Sequence, residues 1–210
     1  MKSFNWLLVL SVLSCIGCSS PVHEDGRGCA FVSDSIQYRV EFMSAGCVRI
    51  LSFPEGDTLV TKRLVVDSEK PAFKDYKWED TGQKLLFRTR ELSVVFDKAD
   101  AAFIFQETST GKLLLKEKGD RKARNFKRSV AGGEQCLEVT QRFVPTEDEA
   151  IYGLGQYQNG IMNYRGKSVL LLQANMDIVN PFLISTNGYG VLWDNYSSTK
   201  FEDTKFRPRR

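Results

Sequence analysis

At 210 residues the chain suffices for one sizeable domain, and 42% hydrophobic with 26% charged residues describes a globular protein with a core, neither a disordered chain nor a bundle of membrane helices. The net charge of +3 comes from Lys and Arg interleaved with Asp and Glu, so the basic face and supporting motif that nucleic acid requires are missing. A single histidine, His23, and, past residue 18, three cysteines (Cys29, Cys47 and Cys136) without C-x-x-C spacing leave no material for a histidine-based triad or a zinc site, and no metal or cofactor is expected.

Residues 1–18 read as an export signal. Lys2 precedes an apolar run over 4–16 that is short for a membrane-spanning helix and ends in Gly17-Cys18-Ser19-Ser20. Ile16-Gly17-Cys18 resembles a bacterial lipobox, although Cys15 stands where leucine is usual, and Cys15, after Val12-Leu13-Ser14, is a second candidate. The expectation is a lipoprotein lipidated at Cys18 and anchored to the bacterial envelope. Residues 19–28, polar with Pro21 and Gly26, are expected to form a linker.

From residue 29 the pattern is that of strands. Residues 36–42 alternate apolar and polar, 47–53 nearly do, and Pro54-Glu55-Gly56-Asp57 is turn chemistry before a further run over 58–66. Strand-like runs follow at 84–89, 92–96, 101–107, 113–116, 123–130 and 136–144, with turn residues between them at intervals of about ten, as in sandwiches and barrels. No stretch has sustained helical periodicity. The predicted fold is all-β, an antiparallel β-sandwich over residues 29–210. Cys29, Cys47 and Cys136 fall in strand-like runs, where buried free thiols are commoner than a disulfide, though an exported protein permits one pair. Residues 145–150 are compatible with one helical turn, and its Glu147, Asp148 and Glu149 read as a solvated loop.

Residues 152–195 are packed with Gly, Asn and aromatics, a composition suited to irregular backbone and to hydrogen bonding a polyol. The stretch carries Tyr152-Gly153-Leu154-Gly155-Gln156, Asn163-Tyr164-Arg165-Gly166, Asn175-Met176-Asp177, Pro181-Phe182-Leu183-Ile184-Ser185 and Gly188-Tyr189-Gly190-Val191-Leu192-Trp193-Asp194-Asn195. In order and spacing these resemble the N-terminal domain of glycoside hydrolase family 31, and the Asn-Tyr-Arg-Gly and Gly-Tyr-Gly-Val-Leu-Trp-Asp-Asn forms resemble α-xylosidases of the xyloglucan-degrading type.

The resemblance implies a sandwich of the galactose-mutarotase type, packed in the family on a (β/α)8 barrel whose two aspartates perform retaining hydrolysis of α-glycosides. The family's barrel begins beyond residue 210, and the basic ending Arg207-Pro208-Arg209-Arg210 does not resemble its continuation. The expectation is therefore a domain lacking its barrel and inactive alone, with an apolar face left where the barrel packs. The family's loop aspartate that bonds sugar hydroxyls over the barrel mouth corresponds to Asp177, with Asn175 beside it; Asp177 capping its own turn is the alternative. Arg165 reads as a loop anchor, Tyr189 and Trp193 as core aromatics more than sugar platforms, and Gly153 and Gly155 as backbone geometry. The expected partner is an oligosaccharide substrate. A glycan-binding surface lipoprotein without hydrolase activity is the competing function, and an epimerase lacks the His that its acid–base chemistry commonly uses.

Overall fold

The structure is a computed structural model that describes residues 21–57, 65 and 72–203. The lipidation candidate Cys18, the rest of the 1–18 signal and most of the 58–66 run lie outside the described residues. Within them the chain forms sixteen strands and no helix, so the fold is all-β, as the alternation predicts.

Two antiparallel sheets make the first part. One has the order β1 (His23–Glu24), β2 (Cys29–Ser33), β3 (Ile36–Ser44), β4 (Cys47–Pro54); the other runs β5 (Lys77–Asp80), β6 (Lys84–Arg88), β7 (Leu92–Asp97), β8 (Ala102–Glu107), β9 (Leu113–Lys116). Each turns the inner half of its alternation toward the other: Phe31, Tyr38, Val40 and Phe42 from the first meet Leu85, Phe87, Val94, Phe96 and Phe103 from the second. The centre is aromatic. Phe31 lies 4.8 Å from Phe96 and Phe96 lies 4.9 Å from Phe103, centroid to centroid and with tilted rings, a favourable geometry for aromatic pairs.

One charged pair closes this core. The Glu117 carboxylate, buried just past β9, accepts the Phe103 N–H at 2.8 Å and a two-pronged hydrogen bond from Arg124. The guanidinium in turn sits over Tyr38 and Phe103, 5.1 and 5.2 Å from the ring centroids. Burial pushes the Glu117 carboxyl upward, and the charge of Arg124 opposes that shift. Arg124 opens the hairpin of β10 (Arg124–Ala131) and β11 (Glu134–Gln141), most of which is exposed.

The last part holds the sheet β12 (Ile151–Gln156), β14 (Ile178–Ser185), β15 (Tyr189–Leu192) and the pair β13 (Ser168–Leu171), β16 (Thr199–Glu202). These surround a second core of Ile151, Leu154, Tyr164 and Leu171, extended by Val179, Leu183 and Phe201.

The structure departs from the sequence reading in four places. Residues 23–24, inside the expected linker, form β1, whose Glu24 accepts hydrogen bonds from Tyr76 at 2.9 Å and Trp78 at 3.0 Å; a two-residue polar strand has no alternation to announce it. Residues 145–150 make a non-helical turn. The loop-like composition of 152–195 hides four strands, β12 to β15, because Gly, Asn and Pro dilute the period. Only Cys29 of the three described cysteines is buried: Cys47 opens β4 behind a turn and Cys136 lies on the exposed hairpin, and all three are free thiols.

Thiolate is the reactive form of cysteine, and burial pushes the Cys29 thiol up to about 11 and the Cys47 thiol upward in the same direction. Maleimide labelling of the native chain near pH 7, followed by peptide mass spectrometry, should modify Cys136 first and Cys47 more slowly. Cys29 should react only after denaturation; its labelling in the native state would contradict this core.

Candidate functional site

The second core is held in place by a buried carboxylate. Glu149, 4% exposed, accepts the Ser185 hydroxyl at 2.6 Å, the Tyr189 hydroxyl and the Thr146 N–H at 3.0 Å. Thr146 also accepts from the Asn187 amide at 2.8 Å, so the approach to β12 is tied to the β14–β15 turn. Burial, with Glu149 as its hydrogen-bond acceptor, drives the Tyr189 phenol upward, keeping it the donor. The acidic trio read as solvated thus contains one structural member, and Tyr189 is committed to it rather than to a sugar face.

Asn163-Tyr164-Arg165-Gly166 is a staple. The Asn163 carbonyl accepts the Ile151 and Arg165 N–H groups at 3.1 and 3.0 Å, and Tyr164 fills the second core. Arg165 donates to the Thr146 carbonyl at 2.6 Å and reaches Asp203 at 3.4 Å, while Asp203 accepts the Gly166 N–H at 2.9 Å. Arg165 anchors this loop through a backbone carbonyl, the arrangement its neighbours suggest.

In β12 the register shifts between Gly153 and Gly155. A Cβ at Gly155 would stand 2.0 Å from the Ile178 carbonyl oxygen, and φ there is +118°, so only glycine fits this bulge. The bulge sits one rung from the Gln156–Ile178 pair, where β14 emerges from the turn that carries Asn175 and Asp177.

That turn runs from Ala174 to Asp177, closed by the Asp177 N–H to the Ala174 carbonyl at 3.3 Å, with Met176 at φ +71°. The third position of such a turn favours Gly or Asn, so Met176 carries a local cost of about 1–2 kcal/mol. Asn175 is exposed and Asp177 half-buried. Neither side chain hydrogen-bonds or ion-pairs with any described residue, and the negative charge of Asp177 adds to the burial that raises the neighbouring Tyr157 phenol. Asp177 does not cap its own turn. That task falls to Gln173, whose amide donates to the Asp177 carbonyl at 2.8 Å and accepts the Val179 N–H at 3.1 Å.

Residues 37–202 match the model of the glycosyl hydrolase 31 N-terminal galactose mutarotase-like domain. The chain belongs to that family. It is 34% identical over 178 residues to an alpha-xylosidase of Saccharolobus solfataricus, an alignment covering 78% of this chain and 23% of the relative. A family 31 alpha-xylosidase of Xanthomonas citri superimposes with a TM-score of 0.73 at 31% identity, covering 85% of this chain and 19% of the other. A family 31 alpha-xylosidase from a soil metagenome, solved with xylose, superimposes at 0.72 with 24% identity over 88% of this chain and 29% of its own. The chain thus spans about a quarter of the length of the curated relative.

Within this glycosyl hydrolase 31 N-terminal domain the last motif is also architectural. Asp194 accepts from Arg49 of β4 at 2.9 Å and from Tyr196 at 2.9 Å, joining the second core to the first sheet. The Trp193 N–H of the backbone donates to the Pro181 carbonyl at 2.8 Å, and its indole N–H is buried without an acceptor among the described residues. Among those residues no group of three or more His, Cys, Asp or Glu is placed to hold a metal. The sheet β12–β14–β15 has one face open among the described residues. Cross-strand partners Tyr152 and Ile184, and Phe182 and Leu192, share it with Ile178. Ile178 is 56% and Ile184 51% exposed, and Phe182 lies across Gly190, whose missing Cβ makes room for the ring.

Sequence reasoning missed Glu149 and Gln173. The signal for Glu149 was its place at the end of an acidic run just before an apolar strand, and none marked Gln173.

Replacing Glu149 by Gln puts an amide where both oxygens now only accept, and removes the charge that strengthens its bonds. Denaturant unfolding should show a loss of about 2–3 kcal/mol. An unchanged midpoint would mean that the carboxylate is dispensable to the second core.

Proposed function

We propose that this chain is the non-catalytic N-terminal domain of a retaining α-glycosidase of the α-xylosidase or α-glucosidase type. In this reading Asp177, assisted by Asn175, hydrogen-bonds hydroxyl groups of an oligosaccharide. The observation that carries the reading is the Asp177 carboxylate itself, half-buried on a strained turn and without a protein partner among the described residues, in a domain of this family. A carboxylate left with both oxygens accepting can take two hydroxyl donors, and such charge-assisted bonds are the stronger kind. The xylose complex of the soil-metagenome relative supports a monosaccharide unit of that class.

The two carboxylates that retaining hydrolysis needs about 5 Å apart belong, in this reading, to a (β/α)8 barrel. The open face with Ile178, Phe182, Ile184 and Leu192 is where that barrel would pack, since apolar surface of this kind on a sheet is stabilised by burial. No cofactor enters the reaction. Export and lipid anchoring through Cys18, at the bacterial envelope, complete the proposal and rest on the sequence of residues 1–20.

The test places this chain in front of the barrel of the Xanthomonas citri relative, in exchange for that enzyme's own N-terminal domain. The hybrid should hydrolyse aryl α-xyloside, and Asp177→Ala should lower kcat/KM about 10- to 100-fold, the worth of a charged hydrogen bond. The chain alone should release no aglycone. Turnover by the chain alone, lost on Asp177→Ala, would overturn the non-catalytic assignment. Millimolar binding of xyloglucan oligosaccharides by the chain alone, seen by calorimetry, would favour a free-standing glycan-binding lipoprotein instead.

A further inference from the structure

The turn that presents Asp177 is set by a side chain outside it. Asx residues in turns ordinarily bond their own backbone, which draws the carboxylate inward. Here the backbone groups on the C-terminal side of the turn are taken by Gln173: its Nε2 donates to the Asp177 carbonyl at 2.8 Å and its Oε1 accepts the Val179 N–H at 3.1 Å. One primary amide supplies a donor and an acceptor at once across the turn. Glutamate lacks the donor, lysine lacks the acceptor and leucine lacks both. Asparagine is shorter by one methylene.

The geometry points to Gln173 as the positioning residue of the sugar site. Resting on the reading of Asp177 as a sugar ligand, we propose that Gln173 holds the 174–177 turn in the conformation that aims the Asp177 carboxylate at a sugar's hydroxyls. Two features support this. Met176, at φ +71° and 68% exposed, occupies a left-handed position that no packing enforces, so the turn needs another restraint. The strand ladder gives little restraint either, because the β12–β14 pairing ends at Gln156–Ile178 and is interrupted by the bulge behind it. A carboxylate on an unrestrained turn would meet its ligand in many orientations, and ordering it would weaken binding.

Gln173→Leu, Gln173→Glu, Asp177→Ala and the Gln173→Leu/Asp177→Ala double variant are compared in the hybrid enzyme. Amide hydrogen exchange by NMR is measured on the chain alone. Gln173 is exposed, so these variants fold. Gln173→Leu should raise KM for aryl α-xyloside about tenfold with kcat retained, the loss of roughly one hydrogen bond's worth of orientation. It should also speed exchange at the Val179 amide at least tenfold while leaving the melting temperature in place. Gln173→Glu, which keeps the acceptor for Val179 and loses the donor to Asp177, should protect that amide and still raise KM. The double variant should be no worse than Asp177→Ala, because Gln173 acts through Asp177.

Asp177→Ala impaired with Gln173→Leu unimpaired would overturn the positioning role and leave the sugar-binding reading intact. Additive losses in the double variant would overturn it as well. Asp177→Ala without effect would defeat the sugar-binding reading, and the role of Gln173 would fall with it.

Discussion

A carboxylate removed from water must be surrounded by donors, and the second half of this molecule is arranged around one that is. Glu149 draws hydrogen bonds from Thr146, Ser185 and Tyr189, which belong to the approach to β12, the end of β14 and the start of β15. An unsatisfied oxygen there would cost several kcal/mol, so these segments cannot part independently. With the end of β14 fixed at Ser185, its register against β12 is fixed as well, from Ile151–Ser185 back to Gln156–Ile178. The far end of that register delivers the Asp177 turn. Beyond that end the turn is held by Gln173.

The same strand sets the character of the sheet's outer face. Val179 and Leu183 point into the second core, while Ile178, Phe182 and Ile184 point the other way, so β14 is apolar on both faces. A strand facing water on one side alternates with polar residues, and one buried on both sides does not. Asn180 is the only polar residue on the outer face between Ile178 and Ile184, and Gly190 opposite Ile184 opens space that the Phe182 ring occupies. The outer face therefore has the composition of a covered surface and the exposure of an open one. The first core shows no such mismatch: β6 and β7 turn Leu85, Phe87, Val94 and Phe96 inward, and the buried Glu117–Arg124 pair closes the aromatic centre.

Legibility in the sequence follows this division. The strands over 84–116 could be read nearly to the residue, because they are short apolar runs bounded by turns rich in Gly, Asp and Thr. β12 to β16 could not, since a glycine bulge, an internal proline and apolar residues on both faces leave no single period. The family was legible there for the same reason, because constraints such as the Gly155 bulge and the Asn163 staple leave specific residues where periodicity leaves none. Burial of single groups was not legible. Glu149 and Glu147 stand two residues apart with the same chemistry, and only the distant donors Ser185 and Tyr189 distinguish them; Cys136 reads as core in a strand-like run until the hairpin is seen to project.

Asn175 and Asp177 differ from the other polar residues of the 152–195 stretch by what they do not touch. Asn163 and Arg165 bond backbone groups, Tyr189 bonds Glu149 and Asp194 bonds Arg49, so their presence needs no ligand to account for it. The Asp177 turn has the opposite energetics. A left-handed Met176 costs about 1–2 kcal/mol, and the two hydrogen bonds of Gln173 return about the same, each contributing about 0.5–1.5 kcal/mol. The turn therefore stands near neutrality in the folded domain, with Gln173 fully used and Asp177 unused. A carboxylate within bonding distance of its own backbone could have stabilised the turn directly, as Asx side chains commonly do. Assigning that work to a neighbour leaves both oxygens available to an incoming hydroxyl pair, which is the arrangement a binding role requires and a purely structural one does not.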